Sequence, residues 1–348
     1  MARVRGWFPA APRRSVAPLL SLGVGVAAIL FLFWQFGVDE LAATLRTVHP
    51  LILGLSLVVG GVVRLGYAVR WKVSAGAIGV KEPLRRFVQA RLAGDALGTV
   101  LPTGRITGDP LRVALLRNQG EGVTIPTTSV ALDRFMEWTG NTFFATGCIT
   151  VFALSRTATG NRATWMLGGG MLAVLASLIA LLTMLRWGWR PFQPLHIIGE
   201  RLSSPRLRRL GQLLYDTETQ LIEFFRNQPR VFTLGVIGSL LIELVILIEY
   251  RLLLSAFGIA LDWPTLMMVV VTGGLARTLP VPAGLGALEA SQVGLLAVAS
   301  GDASLGFVVG IVVRLHEAFW ALVGFAGLAM RGGVGRLRFL WSTGKAPA

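Results

Sequence analysis

Long apolar runs separated by short basic connections set the pattern of this chain. Val16 to Gly37 and Trp165 to Leu185 hold no charged residue, and about 20 apolar residues suffice to cross a bilayer. Six stretches, 16–37, 50–70, 123–155, 164–186, 230–257 and 303–330, read as full spans. Two further apolar segments are interrupted by Gly and Pro: Leu92 through Pro102 to Gly104, and Thr272 through Pro280 and Pro282 to Gly284. Broken backbone is tolerated at membrane depth only inside protein or beside a watery cavity. The pattern therefore predicts an all-α polytopic membrane protein with six full transmembrane helices plus two re-entrant broken-helix hairpins, forming one membrane domain over 1–348.

Composition narrows the class. With 53% hydrophobic and 15% charged residues and a mean hydropathy of +0.65, a soluble domain with an ordinary charged surface is excluded. The 42 glycines are scattered through apolar segments with no three-residue period, as close helix packing in membranes permits. A net charge of +15 on a soluble face would suggest nucleic acid, but these basic residues lie between the apolar runs. Their expected partner is the anionic lipid of the cytoplasmic leaflet, not nucleic acid. Only Lys72, Lys81 and Lys345 are lysines, an arginine bias that a GC-rich genome explains without function. Cys148 stands alone in an apolar run, which leaves no intramolecular disulfide and no cysteine metal site. The first run is longer than a signal-peptide core and lacks a small-x-small cleavage site, so it reads as a retained anchor.

Basic residues orient the chain. They crowd the N-terminal tail (Arg3, Arg5, Arg13, Arg14), the stretch after the second span (Arg70, Lys72, Lys81, Arg85, Arg86, Arg91), the 186–230 connection with its eight arginines, and the C-terminal tail (Arg331, Arg336, Arg338, Lys345). The opposite connections hold only Arg46, Arg156 and Arg162. Both termini are thus expected in the cytoplasm of a bacterial cytoplasmic (inner) membrane. Within the connection, Leu207, Leu210, Leu214, Leu221 and Phe225 punctuate a charged segment. This fits either an amphipathic helix on the inner membrane surface or a plain cytoplasmic helix joining two halves.

A long-range internal repeat follows. Leu101-Pro102, Gly108-Asp109, Arg134 and Glu137 are echoed by Leu279-Pro280, Gly286 with Glu289, Arg314 and Glu317. Acid and arginine stand at the same separation in both copies, and Arg-x-x-Glu recurs; the proline-to-acid gap is longer in the second. The first repeat is assigned to 50–155 and the second to 230–330. Three spans separate the broken segments, and an odd number reverses direction, so the second copy is expected inverted. Inverted repeats with discontinuous helices are a recurrent transporter architecture.

Charges inside these elements give the candidate site. Asp133, Arg134 and Glu137 lie in the third span, Glu243 and Glu249 in the fifth, and Arg314, His316 and Glu317 in the last; Asp95, Arg105, Asp109, Arg277 and Glu289 border the broken segments. Ionisable groups at bilayer depth cost at least ~2.5 kcal/mol on insertion scales and so face a cavity or a partner. Substrate contact is expected from Asp95, Arg105, Asp109, Arg134, Glu137, Arg277, Glu289, Arg314 and Glu317, and proton coupling from Asp133 and Glu243. Helix ends at the broken segments would add backbone donors for an anion. Two bland readings stay open: Arg134–Glu137 and Arg314–Glu317 as neutral pairs fixing helix contacts, and Glu243 as a protonated or capped carboxyl. His316 has no second histidine nearby, and His49 and His196 sit in connections, so no metal site is expected. Nucleophile-elbow, Walker and zinc motifs are absent from the sequence, no cofactor is expected, and the chain is not read as an enzyme.

At these residues the sequence resembles the flippase-like integral membrane family related to the transmembrane part of lysyl-phosphatidylglycerol synthases. The resemblance spans about Pro50 to Met330 and rests on Arg91-Leu92 through Val100-Leu101-Pro102, Gly108-Asp109, Asp133-Arg134-x-x-Glu137, Pro282-x-Gly284-x-Gly286-x-x-Glu289 and Arg314-x-x-Glu317. Family members commonly carry Gly-Glu where Gly108-Asp109 stands. The resemblance implies translocation of a polar or anionic lipid between leaflets without an ATPase. The sequence ends at Ala348, which leaves no room for the soluble aminoacyl-transferase domain of two-domain relatives, so synthesis is not expected. Arg91 to Pro102 is also similar to a hopanoid-associated subgroup, which keeps hopanoid transport to the outer membrane as an alternative. An intramembrane lipid-modifying enzyme using Glu137, Glu289 or Glu317, or a scaffold recruiting a lipid-synthesis enzyme through 186–230, are the competing classes.

Overall fold

The structure is a computed structural model, and it describes residues 48–100, 108–117, 122–155, 162–190, 193, 197, 205–278 and 286–329. The first apolar run, both tails, Arg105 and the two proline-bearing turns lie outside the described residues. Ten helices and no strand are present among the described residues: α1 (Pro50–Gly76), α2 (Leu84–Val100), α3 (Asp109–Leu116), α4 (Thr124–Ser155), α5 (Arg162–Arg186), α6 (Pro205–Asn227), α7 (Pro229–Ala256), α8 (Trp263–Ala276), α9 (Ala287–Ala299) and α10 (Ala303–Ala329). Three of them, α1, α7 and α10, are long and apolar enough to cross a membrane. Helix α4 is longer still, at 32 residues, and carries the buried charges Asp133, Arg134 and Glu137.

Local chemistry sets the helix ends. Pro50 and Pro229 open α1 and α7, where a missing N–H and a fixed φ cost nothing. Left-handed glycines follow both helices, Gly79 at φ 91° and Gly258 at φ 72°, and the chain turns there without a Cβ penalty. Helix α1 runs six residues past the expected end of its span, to Gly76.

Packing pairs the two halves of the chain. Helices α1 and α7 lie against each other, α2 packs on α10, and α8 packs on α4. Each pair of short helices, α2 with α3 and α8 with α9, also packs together. Small residues allow the closest crossings: a Cβ at Gly140 would collide with Ser239, one at Gly235 with Met136, and one at Gly324 with the Leu92 carbonyl. Leu253, Leu254, Leu266, Val269, Val309 and Val312 fill the core between α7, α8 and α10. The opposite faces are apolar too: Leu51, Val58 and Val62 on α1, Leu234, Leu241 and Ile248 on α7, and Leu322 on α10 are exposed. A helix that is apolar all round fits a lipid-facing surface.

Helix α6 uses its apolar residues on the protein itself. Leu221, Ile222, Phe224 and Phe225 are buried against Leu132 and Met136 of α4, with Phe232 of α7 packed on the Phe225 ring. Leu210, in its first part, stays half exposed.

Gly140→Ala is expected to destabilise the α4–α7 crossing by about 1–3 kcal/mol, because a well-packed contact must open. Gly147→Ala, on the same helix with nothing within 4 Å, serves as the control and is expected to lose nothing. Thermal unfolding in detergent, followed by circular dichroism, reads both.

Candidate functional site

Four arginines, one from each helix of the first half, converge on α4. Arg70 of α1, Arg91 of α2, Arg112 of α3 and Arg134 of α4 are all buried, as are Asp133 and Glu137. Arg70 Nη2 donates to Asp133 Oδ1 at 2.8 Å and to Glu137 Oε2 at 3.3 Å. Arg91 Nη1 donates to Asp133 Oδ2 and Glu137 Oε2, both at 2.9 Å, while its Nε holds Asp95 at 2.9 Å. Arg112 pairs with Asp133 and, at 3.1 Å, with Asp109. Arg134 grips Asp109 through Nε and Nη2 at 2.9 and 2.8 Å and reaches Glu137 at 3.3 Å. Four positive groups thus face Asp95, Asp109, Asp133 and Glu137, so the cluster is neutral. Aromatic faces cover it: Arg91 lies 4.4 Å from the Tyr67 ring and Arg112 4.1 Å from the Trp71 ring, a favourable placement for desolvated cations.

The second half builds a smaller relative of this cluster. Arg314 of α10 donates to Glu289 of α9 at 3.0 Å and to Glu317 at 3.2 Å, and Arg277 Nη1 donates to Glu317 at 2.6 Å. The acid-to-arginine separation of 25 residues seen in sequence is therefore a direct ion pair in both halves, Asp109–Arg134 and Glu289–Arg314. Each acid sits in the first turn of a short helix. Glu289 Oε2 also accepts the N–H of Gly286 at 2.9 Å, so the chain's own carboxylate occupies the positive helix start that sequence reasoning offered to an anion.

A third group joins the halves. Arg64 of α1 donates to Glu249 of α7 at 2.9 Å and lies 4.0 Å from the Trp320 ring centroid; His316 of α10 meets the same carboxylate at 2.8 Å. Glu243, one of the expected proton carriers, accepts from Tyr67 Oη at 3.3 Å and, with the Asn141 amide turned so that its NH2 faces the carboxylate, from Asn141 at 2.9 Å.

These groups surround a cavity of about 540 Å³ walled by α1, α2, α4, α5, α7, α8 and α10. Of the sequence-predicted residues, Asp95, Arg134, Glu137, Glu243, Arg277 and Glu317 line it. Asp109, Asp133, Glu289 and Arg314 are not on its wall: Asp109 and Arg314 pair with the wall residues Arg134 and Glu317, Asp133 directly precedes Arg134, and Glu289 reaches the wall only through Arg314. Arg64, Glu249 and His316 join the wall as well. The rest of its wall is largely apolar and aromatic, including Trp138, Phe144, Val174, Leu178, Val270 and Leu275, with Thr99, Asn141, Thr142 and Thr278 between them.

Sequence reasoning missed three arginines of the first cluster, and Arg64 of the third group, outright. Arg70 and Arg91 were counted as cytoplasmic connection charges, yet both are buried in helices; Lys72, Lys81, Arg85 and Arg86 carry the basic bias there without them. The readable signal was the four-residue spacing of Arg91 and Asp95, which places both on one helix face. Arg112 had no comparable signal.

The pattern of the lysylphosphatidylglycerol synthase TM region family matches residues 19–324. The chain belongs to that family. It is also similar to a "UPF0104 membrane protein" of Methanothermobacter thermautotrophicus, 22% identical over 322 residues that cover 86% of this chain and 90% of the relative. A second match to a protein of that description from the same archaeon is 28% identical over 166 residues, covering 45% of this chain and 49% of the relative. Membership and the apolar helices together make this a multi-pass membrane protein.

Asp133→Asn is expected to cost about 3–5 kcal/mol, since it leaves Arg70, Arg91 and Arg112 buried with one charge too few. The unfolding midpoint in detergent checks this.

Proposed function

We propose that the protein is a lipid flippase of the cytoplasmic membrane, moving a polar lipid between leaflets without an ATPase of its own. The cavity carries this reading: its wall combines charged groups with apolar and aromatic side chains, the two kinds of surface an amphiphile needs. A headgroup would meet the Arg134–Glu137 and Arg277–Glu317 pairs together with Asp95, while its chains would lie along Trp138, Val174 and Leu178. Arginine suits a phosphate because its planar fork stays charged and can give two parallel hydrogen bonds. Arg134 is already held by two carboxylates, so a phosphate reaches it by displacing one of them. Arg277 is less committed, with an Nε that makes no hydrogen bond among the described residues.

In this proposal the halves α1–α4 and α7–α10 are related by a two-fold axis in the membrane plane, and the paired short helices are re-entrant hairpins. Shared helix starts and stops, matched acid–arginine pairs and the crossed packing of α2 on α10 and α8 on α4 support it. Rocking of one half on the other would open the cavity to each side in turn. Both termini lie in the cytoplasm. Cysteines placed at Arg13 and Lys345 are then expected to resist a membrane-impermeant thiol reagent added outside intact cells and to react after permeabilisation.

Plugging the cavity tests transport without breaking an ion pair. Thr142 and Ala321 both line it. In vesicles of phosphatidylethanolamine and phosphatidylglycerol holding a trace of headgroup-labelled phospholipid, the wild type is expected to speed crossing well above protein-free vesicles. Thr142→Trp and Ala321→Trp are each expected to cut that rate at least tenfold at equal folded protein. Crossing at the protein-free rate in the wild type, or full activity in both plugged variants, would sink the proposal.

A further inference from the structure

Of the two residues expected to carry protons, Asp133 is badly placed. Three arginines, Arg70, Arg91 and Arg112, donate to its two oxygens, so both oxygens are already engaged and neither is left to take up a proton from the cavity. Another group on the cavity wall has the opposite geometry. His316 Nε2 stands 2.8 Å from Glu249 Oε1 and 3.1 Å from Trp320 Nε1. The indole N–H can only donate, so Nε2 must be bare to satisfy it. The carboxylate can only accept, so Nε2 must carry a hydrogen to satisfy that. One nitrogen cannot do both.

We propose that His316 and Glu249 form the proton-binding site that couples this protein's lipid transport to a proton gradient. The proposal rests on the flippase reading. With the neutral ring in its Nδ1–H tautomer, Nε2 is bare, Trp320 is held and, among the described residues, Glu249 is left to Arg64, which donates to the same Oε1 at 2.9 Å. A proton delivered from cavity water onto Nε2 creates an imidazolium–carboxylate bond, releases Trp320, and makes Glu249 share its charge between two cations. Arg64 stacks on the Trp320 ring at 4.0 Å, so both partners of that stack lose a constraint together. Loss of the proton to water on the other side reverses each step, and no other reactant is needed.

Position gives this exchange a mechanical outlet. Glu249 is on α7, His316 and Trp320 on α10, and Arg64 on α1, so the site bridges the two halves. The fit is close: a Cβ at Gly60 would collide with both the Glu249 carboxylate and the Trp320 indole. Other charged or titratable groups face the same space from every side: Tyr67 on α1, Asp95 on α2, Glu137 and Arg134 on α4, Glu243 and Tyr250 on α7, Arg277 after α8, and Glu317 on α10. Glu289 on α9 faces α10 through Arg314. Most of these carboxylates are already held by arginine, as Glu317 is by Arg277 and Arg314. Histidine is the side chain whose ordinary range spans pH 5–8.

The chain has three histidines, so His49→Gln with His196→Gln leaves His316 as the only imidazole. Labelled with 15N-histidine in lipid nanodiscs, this protein should show the Nε2 resonance converting between its bare and protonated forms across pH 5–8. Glu249→Gln should move the midpoint at least one pH unit lower. In vesicles carrying headgroup-labelled phosphatidylethanolamine, wild-type crossing should change at least fivefold over that range, and His316→Gln should flatten the profile. An imidazole that keeps one protonation state from pH 5 to 8 would overturn the proton site while leaving flipping intact, as would a His316→Gln profile identical to the wild type. Wild-type vesicles in which no labelled lipid crosses would instead overturn the flippase reading, and the coupling with it.

Discussion

The structure depends on one constraint: four arginines buried at the heart of the first half must find four negative charges without help from water. They do so by converging on two adjacent turns of α4, where Asp133 and Glu137 stand four residues apart on one helix face. The requirement fixes more than the charges. Each guanidinium arrives from a different helix, so satisfying the cluster sets how α1, α2, α3 and α4 lie relative to one another. Such a network is a poor source of net stability, because desolvation offsets much of the attraction, but breaking it is costly. It therefore selects one arrangement of helices over others of similar apolar packing.

The second half meets a milder version of the same constraint. Arg277 and Arg314 share Glu317 and Glu289, and their side chains keep 21% and 17% of their surface exposed, against 0–8% for the four arginines of the first cluster. The cavity lies between a tightly locked polar wall and a looser one. In the proposed rocking motion the looser half is the one whose ion pairs can trade partners at lower cost, since water already screens them in part.

Much of this was legible in the sequence. Helical class, three of the spans and the family could be read from apolar run length and from Asp133-Arg134-x-x-Glu137 with Arg314-x-x-Glu317. The equal acid-to-arginine spacing was legible only as a repeat, and in both halves the structure makes the two residues an ion pair. What stayed hidden was hidden for a physical reason. A hydropathy profile assigns a charge at the end of an apolar run to water, so Arg70 and Arg91 read as connection residues although helix continues past the first and surrounds the second. The apolar stripe of α6 fits a membrane surface and a protein groove equally well, and only the aromatic cluster of Phe135, Phe225 and Phe232 distinguishes them. His316 looked idle because its partner, Glu249, is on another helix.

The wide separation of the cluster's partners along the chain also bears on how the protein is made. Arg70 is synthesised 63 residues before Asp133 and Arg91 42 residues before it, while α2, which carries Arg91, is hardly apolar by itself. A lone arginine has no cheap place in hydrocarbon. Arg91 meets Asp95 within α2, whereas α1 contains no acidic residue, so the charge of Arg70 finds its partner only in α4 and the four-helix cluster can close only after α4 has been made.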